Sequence, residues 1–143
     1  MDSRFQKFPS ISLFDQVARF SEQKFAVNHA IRGALMKKLH LAIGVSNIEA
    51  SVAEYSRRLE QPADVVIPDQ YALWRTQTLN VSIRKVVGDA VGQVRHLGWE
   101  NSEATAFTSE YGGDRILWEE FAAEQQAQEI EKTWPGTGYN PRS

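Results

Sequence analysis

The fold of this chain is decided by the stretch from Leu39 to Leu59, LHLAIGVSNIEASVAEYSRRL. Residues 39–45 alternate as a β-strand does, because successive side chains of a strand point to opposite faces. One face carries the large apolar side chains Leu39, Leu41, Ile43 and Val45. The other face carries His40, Ala42 and Gly44. The pattern predicts a core face and, opposite it, a face on which small neighbours leave room beside an imidazole.

A helix is predicted directly after this strand. Ser46 is followed three residues later by Glu49, which is the pattern of a capping box at a helix N-terminus. Apolar side chains then recur at helical spacing in one stripe that can pack on a sheet: Ile48, Val52, Tyr55 and Leu59. Short strands follow at 64–67, 71–75 and 79–86, separated by turn residues. Together these elements predict a βαβββ unit.

The pattern begins again 56 residues after His40. His96-Leu97-Gly98-Trp99 repeats the order of His40-Leu41-Ala42-Ile43, which indicates two copies of one supersecondary unit. The second copy is shorter, because 102–110 allows only a short helix or turn and 114–121 is the strand that follows. For residues 36–121 we therefore expect an α+β fold of paired βαβββ modules, with the second module truncated.

The two ends of the chain lie outside these modules. Apolar residues at helical spacing predict an amphipathic helix over about 12–34. Met36 is followed by two lysines and a strand, so we hypothesise that residues 1–35 are a helical extension that precedes the native start. Residues 122–135 are predicted as a C-terminal helix, and 136–143 as a flexible tail rich in Gly, Pro and Asn.

The composition excludes several classes of site and partner. A net charge of −2 offers no basic surface for nucleic acid or for an anionic membrane. The chain contains no cysteine, so any metal must be held by histidine, carboxylate or carbonyl oxygen. No stretch approaches the length of about 18 apolar residues that spans a membrane. The N-terminus also lacks the apolar segment of a signal peptide, so we expect a cytoplasmic protein.

Three side chains form the candidate metal site: His40, His96 and Glu119. Two imidazoles and one carboxylate can occupy one face of a divalent metal ion and leave positions open for substrate or oxygen. Alternation places Glu119 between Leu117 and Phe121, where a carboxylate needs a metal ion or an arginine as its partner. The pattern alone leaves alternatives open, because strand histidines are more often structural than ligating and Glu119 could be a solvated charge.

Four further residues are candidates for substrate binding: Tyr71, Trp74, Asn80 and Arg84. Tyr71 and Trp74, with Trp99, could line a cleft for an apolar ligand. Arg84 shares its strand face with Asn80 and could bind an anionic group of a substrate. Each has a structural alternative, since tryptophans belong more often to the core and polar strand faces more often meet solvent.

The stretch Leu39–Leu59 resembles the opening of the vicinal-oxygen-chelate superfamily, which includes glyoxalases, bleomycin-resistance proteins and dioxygenases. That opening has a histidine-containing strand, a V-x-D-type helix start, an S-V-x-F-Y motif, a leucine and a proline. The matching residues here are Val45, Asn47, Ser51, Val52, Tyr55, Leu59 and Pro62. Arg95-His96-Leu97-Gly98 is similar to the first strand of the family's second module, and Trp118-Glu119 to its closing strand.

The sequence also departs from the family pattern. Glu54 replaces the usual aromatic residue before Tyr55, and Glu60 stands where the family usually has glycine. The usual D-P-x-G turn before the last strand is absent. Because members of the family commonly pair modules across a dimer, the shortened second module implies an open cup or a homodimer that completes it.

The resemblance implies that the paired modules form a cup-shaped mixed sheet, and it also implies a function. The family's metal ligands lie on the first strands of both modules and on the last strand of the second, and these positions match His40, His96 and Glu119. We expect a glyoxalase- or dioxygenase-like metalloprotein that binds Fe, Mn, Zn or Ni and acts on a small oxygen-chelating substrate as a lyase or dioxygenase. One alternative is a metal-free small-molecule-binding protein of the bleomycin-resistance type. Another is an interaction protein that has lost the site.

Overall fold

A computed structural model of the chain describes residues 12–35 and 37–141. The chain divides into two compact units, Met1–Ala34 and Leu35–Ser143. The second unit carries the candidate site residues.

Helix α1 spans Leu13–Leu35, close to the helix predicted over 12–34. The interpretation of residues 1–35 as an extension before the native start stays a prediction, and 1–11 lie outside the described residues. Within the described part of the chain, α1 included, no helix combines the length and the apolar character needed to cross a membrane.

The described residues of the second unit form one sheet, two α-helices and a short 3-10 helix, Gly88–Ala90. Its strands are β1 (Lys37–Val45), β2 (Val65–Ile67), β3 (Tyr71–Arg75), β4 (Leu79–Lys85), β5 (Val94–Asn101), β6 (Thr108–Tyr111) and β7 (Leu117–Phe121). Its helices are α2 (Ile48–Leu59) and α3 (Ala123–Thr133). The sheet order is β2-β3-β4-β1-β5-β7-β6, with β1 parallel to β4, β5 parallel to β7 and the other neighbours antiparallel. The α+β class is confirmed in this form: the described residues make three α-helices and a seven-stranded mixed sheet that does not close.

Helix α2 covers one face of the sheet. Its apolar stripe packs on the core face that alternation predicts for β1, around the fully buried Ile48, Trp74 and Ile83. Farther along the same face the strands are not covered to this degree, and Trp99 and Trp118 keep 40% and 37% of their surface exposed. The homodimer predicted from the sequence stays a prediction.

Helix α3 covers the opposite face. Ile130 packs there against Val65, Tyr71 and Leu73, and these side chains form a second apolar cluster. Gln126, one turn earlier on α3, is also buried on this face. The face that carries His40 is therefore shielded by the C-terminal helix.

The segment after α3 continues this packing. Trp134 and Tyr139 both contact the second apolar cluster, and Glu131 accepts hydrogen bonds from the backbone N–H groups of Gly136 and Gly138. The flexible tail predicted over 136–143 stays a prediction, and Tyr139 in the described part of this segment packs on the protein. Its one large aromatic side chain finds apolar partners there, a contact that composition does not reveal.

The N-terminus of α2 differs from the prediction by one residue. Asn47, not Ser46, caps the helix, because its side-chain oxygen accepts the Ala50 N–H at 2.8 Å. Glu49 does not complete a capping box, since its carboxylate accepts the N–H of Asp69 at 2.9 Å.

The last two strands also differ from their predicted limits. The short helix or turn predicted over 102–110 is a turn followed by β6, and the strand predicted over 114–121 begins only at Leu117. A turn closed by the Arg115 N–H and the Gly112 carbonyl occupies the intervening residues. All side chains of β6 are exposed. Because neither face of this strand is buried, its sequence does not alternate between apolar and polar residues, which is the pattern by which a half-buried strand is recognised.

Candidate metal centre

Three strands bring His40, His96 and Glu119 together. His40 on β1 pairs with Gly98 on β5, and Gly98 pairs with Glu119 on β7. His96 precedes Gly98 by two residues and therefore points to the same face of the sheet. The three side chains thus surround Gly98 on the face that α3 covers.

The ligand atoms lie at distances that suit one metal ion. His40 Nε2 is 3.0 Å from His96 Nε2 and 3.9 Å from Glu119 Oε2, and His96 Nε2 is 3.2 Å from the same oxygen. The circle through these three atoms has a radius of about 2.0 Å, which matches the nitrogen and oxygen distances of about 2.0–2.2 Å around divalent zinc. The cluster could therefore hold a metal ion.

Both histidines of the cluster are neutral at neutral pH. Burial lowers the pKa of His40. Burial, together with the repulsion that a protonated His40 and Arg95 would exert, lowers the pKa of His96 to about 3. Burial raises the pKa of Glu119 to about 7, with Arg95 acting against this and Glu129 adding to it. Because the imidazole of His96 is neutral, His96 and Glu119 do not form a pair of opposite charges. A neutral imidazole also keeps a lone pair that can bind a metal ion.

A hydrogen-bond network behind His40 determines which of its ring nitrogens faces the cluster. The Glu100 carboxylate can only accept, so Asn80 turns its Nδ2 group to Glu100 Oε2, at 2.8 Å. The Asn80 oxygen Oδ1 then faces His40 Nδ1 at 2.8 Å and accepts a hydrogen bond from its N–H group. A neutral imidazole protonated on Nδ1 presents the lone pair of Nε2 to the cluster, as a metal-ligating histidine does.

Glu100 is itself fixed by a buried ion pair. Arg75 donates from Nε to Oε2 at 2.9 Å and from Nη2 to Oε1 at 2.5 Å, and both side chains are less than 10% exposed. Burial raises the pKa of Glu100, but the hydrogen bonds from Arg75 and Asn80 outweigh it and the pKa is lowered. Glu100 is therefore a carboxylate at neutral pH, and the orientation of Asn80 follows from its charge.

Gly98 is required for the spacing of the ligand-bearing strands. A Cβ at this position would overlap the backbone carbonyl oxygen of Glu119, so β7 would have to shift. We expect Gly98→Ala to weaken Zn(II) binding by about tenfold or more, since a displaced ligand costs at least as much as a lost supporting contact. Gly113→Ala is the matched control, because a Cβ there meets nothing within 4 Å. Zn(II) titration with a competing chelator measures both variants, and equal affinities would contradict this role of Gly98.

The cluster opens into a cavity of about 290 Å³ between the sheet and α3. Phe107 and Phe121 stack on one side of it, with ring centroids 5.2 Å apart, and Trp134 lies on another. Of the predicted substrate-binding residues, Tyr71 and Arg84 line this cavity. A volume of this size suits a small molecule.

The other two predicted substrate-binding residues lie elsewhere. Trp74 is on the opposite face of the sheet, fully buried under α2, where its ring stacks on Tyr55 and its Nε1 donates to Ser56 at 3.1 Å. Asn80 is on the cavity side but buried behind His40, with its amide occupied by hydrogen bonds. Its contacts make it a residue that orients His40, and neither side chain lines the cavity.

Arg95 lines the cavity although it is adjacent to His96 in sequence. Regular alternation places adjacent residues on opposite faces, so strand periodicity does not select Arg95. The pairing of β1 with β5 is interrupted, however, because Ala42 pairs with His96 while Ile43 pairs with Val94. Arg95 is the extra residue of this bulge, which allows it and His96 to face the same cavity. No local sequence signal marks the bulge, since it arises from the pairing of two strands that are distant in the chain.

Comparisons with known proteins add little to this geometry. No family model matches the chain, and no curated protein matches it. One similar solved structure is a hypothetical protein from Staphylococcus aureus, with a TM-score of 0.42 and 13% sequence identity. The match covers 59% of this chain and 33% of that one, so the chain spans about a third of the length of this structure. Membership of the vicinal-oxygen-chelate superfamily stays a prediction.

Proposed function

We propose that the chain is a metal-dependent enzyme of the vicinal-oxygen-chelate type, which binds one divalent transition metal through His40, His96 and Glu119 and acts on a small oxygen-chelating substrate. The observation that carries the proposal is the convergence of three ligand atoms within 3.9 Å of one another, with the lone pair of His40 Nε2 directed among them. Two neutral imidazoles and a partly buried carboxylate are acceptors that a shared cation satisfies.

The strand order supports the assignment to paired modules. From the central β1 outward, the first half of the sheet runs β1-β4-β3-β2, with a parallel neighbour followed by antiparallel ones. From β5 outward, the second half runs β5-β7-β6 with the same succession of directions. Because β1 and β5 are antiparallel, the halves are arranged as two-fold-related modules would be. Each half contributes one histidine from its first strand, and the second half has one strand and one helix fewer, as in a truncated module.

The donor set limits the identity of the ion. Two imidazole nitrogens and one carboxylate oxygen, without any thiolate, suit Fe(II), Mn(II), Zn(II) or Ni(II). When bound, such an ion would supply Lewis-acid chemistry that polarises oxygen atoms of the substrate.

The protein's own residues would orient the site and restrict its access to water. Asn80 keeps the Nε2 lone pair of His40 directed into the cluster, and the edge of the Phe121 ring packs against the imidazole with centroids 5.0 Å apart. Phe107 stacks on Phe121, and side chains of α3 such as Gln126 and Ile130 line the cavity. Restricting water in this way strengthens the electrostatic interactions between the site and a bound substrate.

Metal content tests the proposal directly. Metal-free protein is incubated anaerobically with Fe(II), Mn(II), Zn(II) or Ni(II), desalted, and analysed by plasma mass spectrometry. Wild type is expected to retain about one ion per chain, as a single three-ligand site requires. The His40→Ala/His96→Ala variant is expected to retain none, with its fold checked by circular dichroism.

Two outcomes would overturn the proposal. Wild type that retains none of the four ions would leave metal-free binding of a small molecule as the function to pursue. Equal retention by wild type and the double variant would place the ion elsewhere in the chain.

A further inference from the structure

Two arginines of the cavity, Arg84 and Arg95, form no ion pair with a carboxylate of the described residues. Arg84 extends from β4 and Arg95 from the bulge in β5, and both line the cavity beside the metal-ligand cluster. Among the described residues, no carboxylate oxygen lies within 4.0 Å of either guanidinium to form an ion pair. This contrasts with Arg75, whose guanidinium binds the Glu100 carboxylate at two atoms.

The surroundings of Arg95 make its charge costly to leave uncompensated. Its side chain is half-buried, and the positive charge of Arg84 acts on it unfavourably. The acidic side chain that acts on it favourably is Glu119, which the proposed function assigns to the metal ion. Because a guanidinium keeps its proton in proteins, an added anion is the partner that removes this cost.

Arg84 is held at the cavity by an aromatic side chain. Its guanidinium carbon lies 5.4 Å from the ring centroid of Trp134. Trp134 is in turn held by the hydrogen bond from its Nε1 to Gln70 Oε1, at 2.8 Å, and by its packing on the Tyr71 ring. The cation–π contact orients the guanidinium without neutralising its charge.

The formal charges around the cavity favour an anion once a metal ion is bound. The charged side chains that line it are Arg84, Arg95, Glu119 and Glu129, whose formal charges cancel. A divalent cation at the cluster would leave the cavity with a net positive charge. A guanidinium also matches the geometry of carboxylate and phosphoryl oxygens, to which it can donate two parallel hydrogen bonds.

We propose that the cavity takes a small organic anion, whose carboxylate or phosphoryl group binds Arg84 and Arg95 beside the metal-ligand cluster. This inference rests on the proposed function and names the substrate class of the same site.

Binding of simple aromatic anions tests the inference. Benzoate and phenylphosphonate are titrated calorimetrically into the full chain, before and after Zn(II) loading, with benzamide as the neutral analogue of benzoate. Wild type is expected to bind at least one anion, with benzamide bound about tenfold or more weakly. Arg84→Gln and Arg95→Gln are each expected to weaken anion binding by about tenfold or more, with Arg95→Lys intermediate because it keeps the charge. Arg57→Gln, an exposed position on α2, is the matched control and is expected to bind like wild type.

The outcomes separate this inference from the proposed function, because metal content is measured on the same samples. If the protein retains Zn(II) but binds benzamide and benzoate equally, the inference is overturned and the proposed function is not. The same holds if the protein retains Zn(II) and both glutamine variants bind the anion with unchanged affinity. Anion binding that depends on the two arginines in protein that retains no metal would support the anion site and contradict the proposed enzyme. Preference between benzoate and phenylphosphonate assigns the anion to the carboxylate or the phosphoryl class.

Discussion

Glu119→Gln is expected to lower the affinity for Zn(II) by about 100-fold or more, because loss of an outer supporting contact alone costs about 10–100-fold and this change removes a ligand charge. The amide keeps the size of the side chain but not its negative charge, which a divalent ion needs beside two neutral imidazoles. Glu119 Oε2 is the only carboxylate oxygen in the His40 and His96 cluster among the described residues. The change should therefore act on metal binding without creating a cavity.

Glu120→Gln is the matched control for this prediction. Glu120 follows Glu119 on β7 and points to the opposite face, where it accepts a hydrogen bond from Asn101 and lies 3.6 Å from Lys37. Its substitution removes the same charge from the same strand and is expected to leave Zn(II) affinity unchanged. Competition with a chromophoric chelator measures both variants. Equal affinities for the two would show that the charge acts through the overall field of the protein and that Glu119 is not a ligand.

Arg75→Met is expected to destabilise the sheet unit by about 3 kcal/mol or more, because it leaves a buried carboxylate without its bidentate partner. Arg75 and Glu100 are 8% and 7% exposed in their side chains. The ammonium group of Lys38, 3.6 Å from the Glu100 carboxylate, would replace only part of the interaction lost with Arg75. Arg58→Met breaks an exposed pair with Glu54, 62% and 50% exposed, and is expected to cost about 0.5 kcal/mol or less.

Urea denaturation followed by tryptophan fluorescence measures both costs, since all four tryptophans lie in the unit that contains the sheet. Adding Glu100→Gln to Arg75→Met is expected to recover part of the lost stability, because glutamine can still accept from Asn80 without burying a charge. A free energy of unfolding for Arg75→Met close to that of Arg58→Met would contradict the importance assigned to the buried pair.

Much of the fold could be predicted from local pattern. The helical stripe of α2 and the alternation of β1 and β4 predicted these elements to within a few residues, because each carries an apolar face that packs on a common core. The strand that was not predicted, β6, has no such face, because it is exposed along its whole length.

The candidate site was likewise predictable from the sequence only in part. Alternation and the internal repeat selected His40, His96 and Glu119 from the sequence, because the period of a strand places side chains on a face whatever the partner strand is. The structure brings these three together. Trp74, which was predicted to line the same cleft as Tyr71, lies on the opposite face of the sheet, because Tyr71 and Leu73 of β3 face α3.

The sequence by itself determined most of the strands and helices, β6 excepted, and which face of each strand carries the three candidate ligands. Only the tertiary structure decided what surrounds them. The bulge that turns Arg95 into the cavity comes from the register between β1 and β5, and the orientation of His40 depends on Asn80 and Glu100 from two other strands. These contacts join residues far apart in the chain, so they depend on how strands pair, which the period of a single strand does not encode.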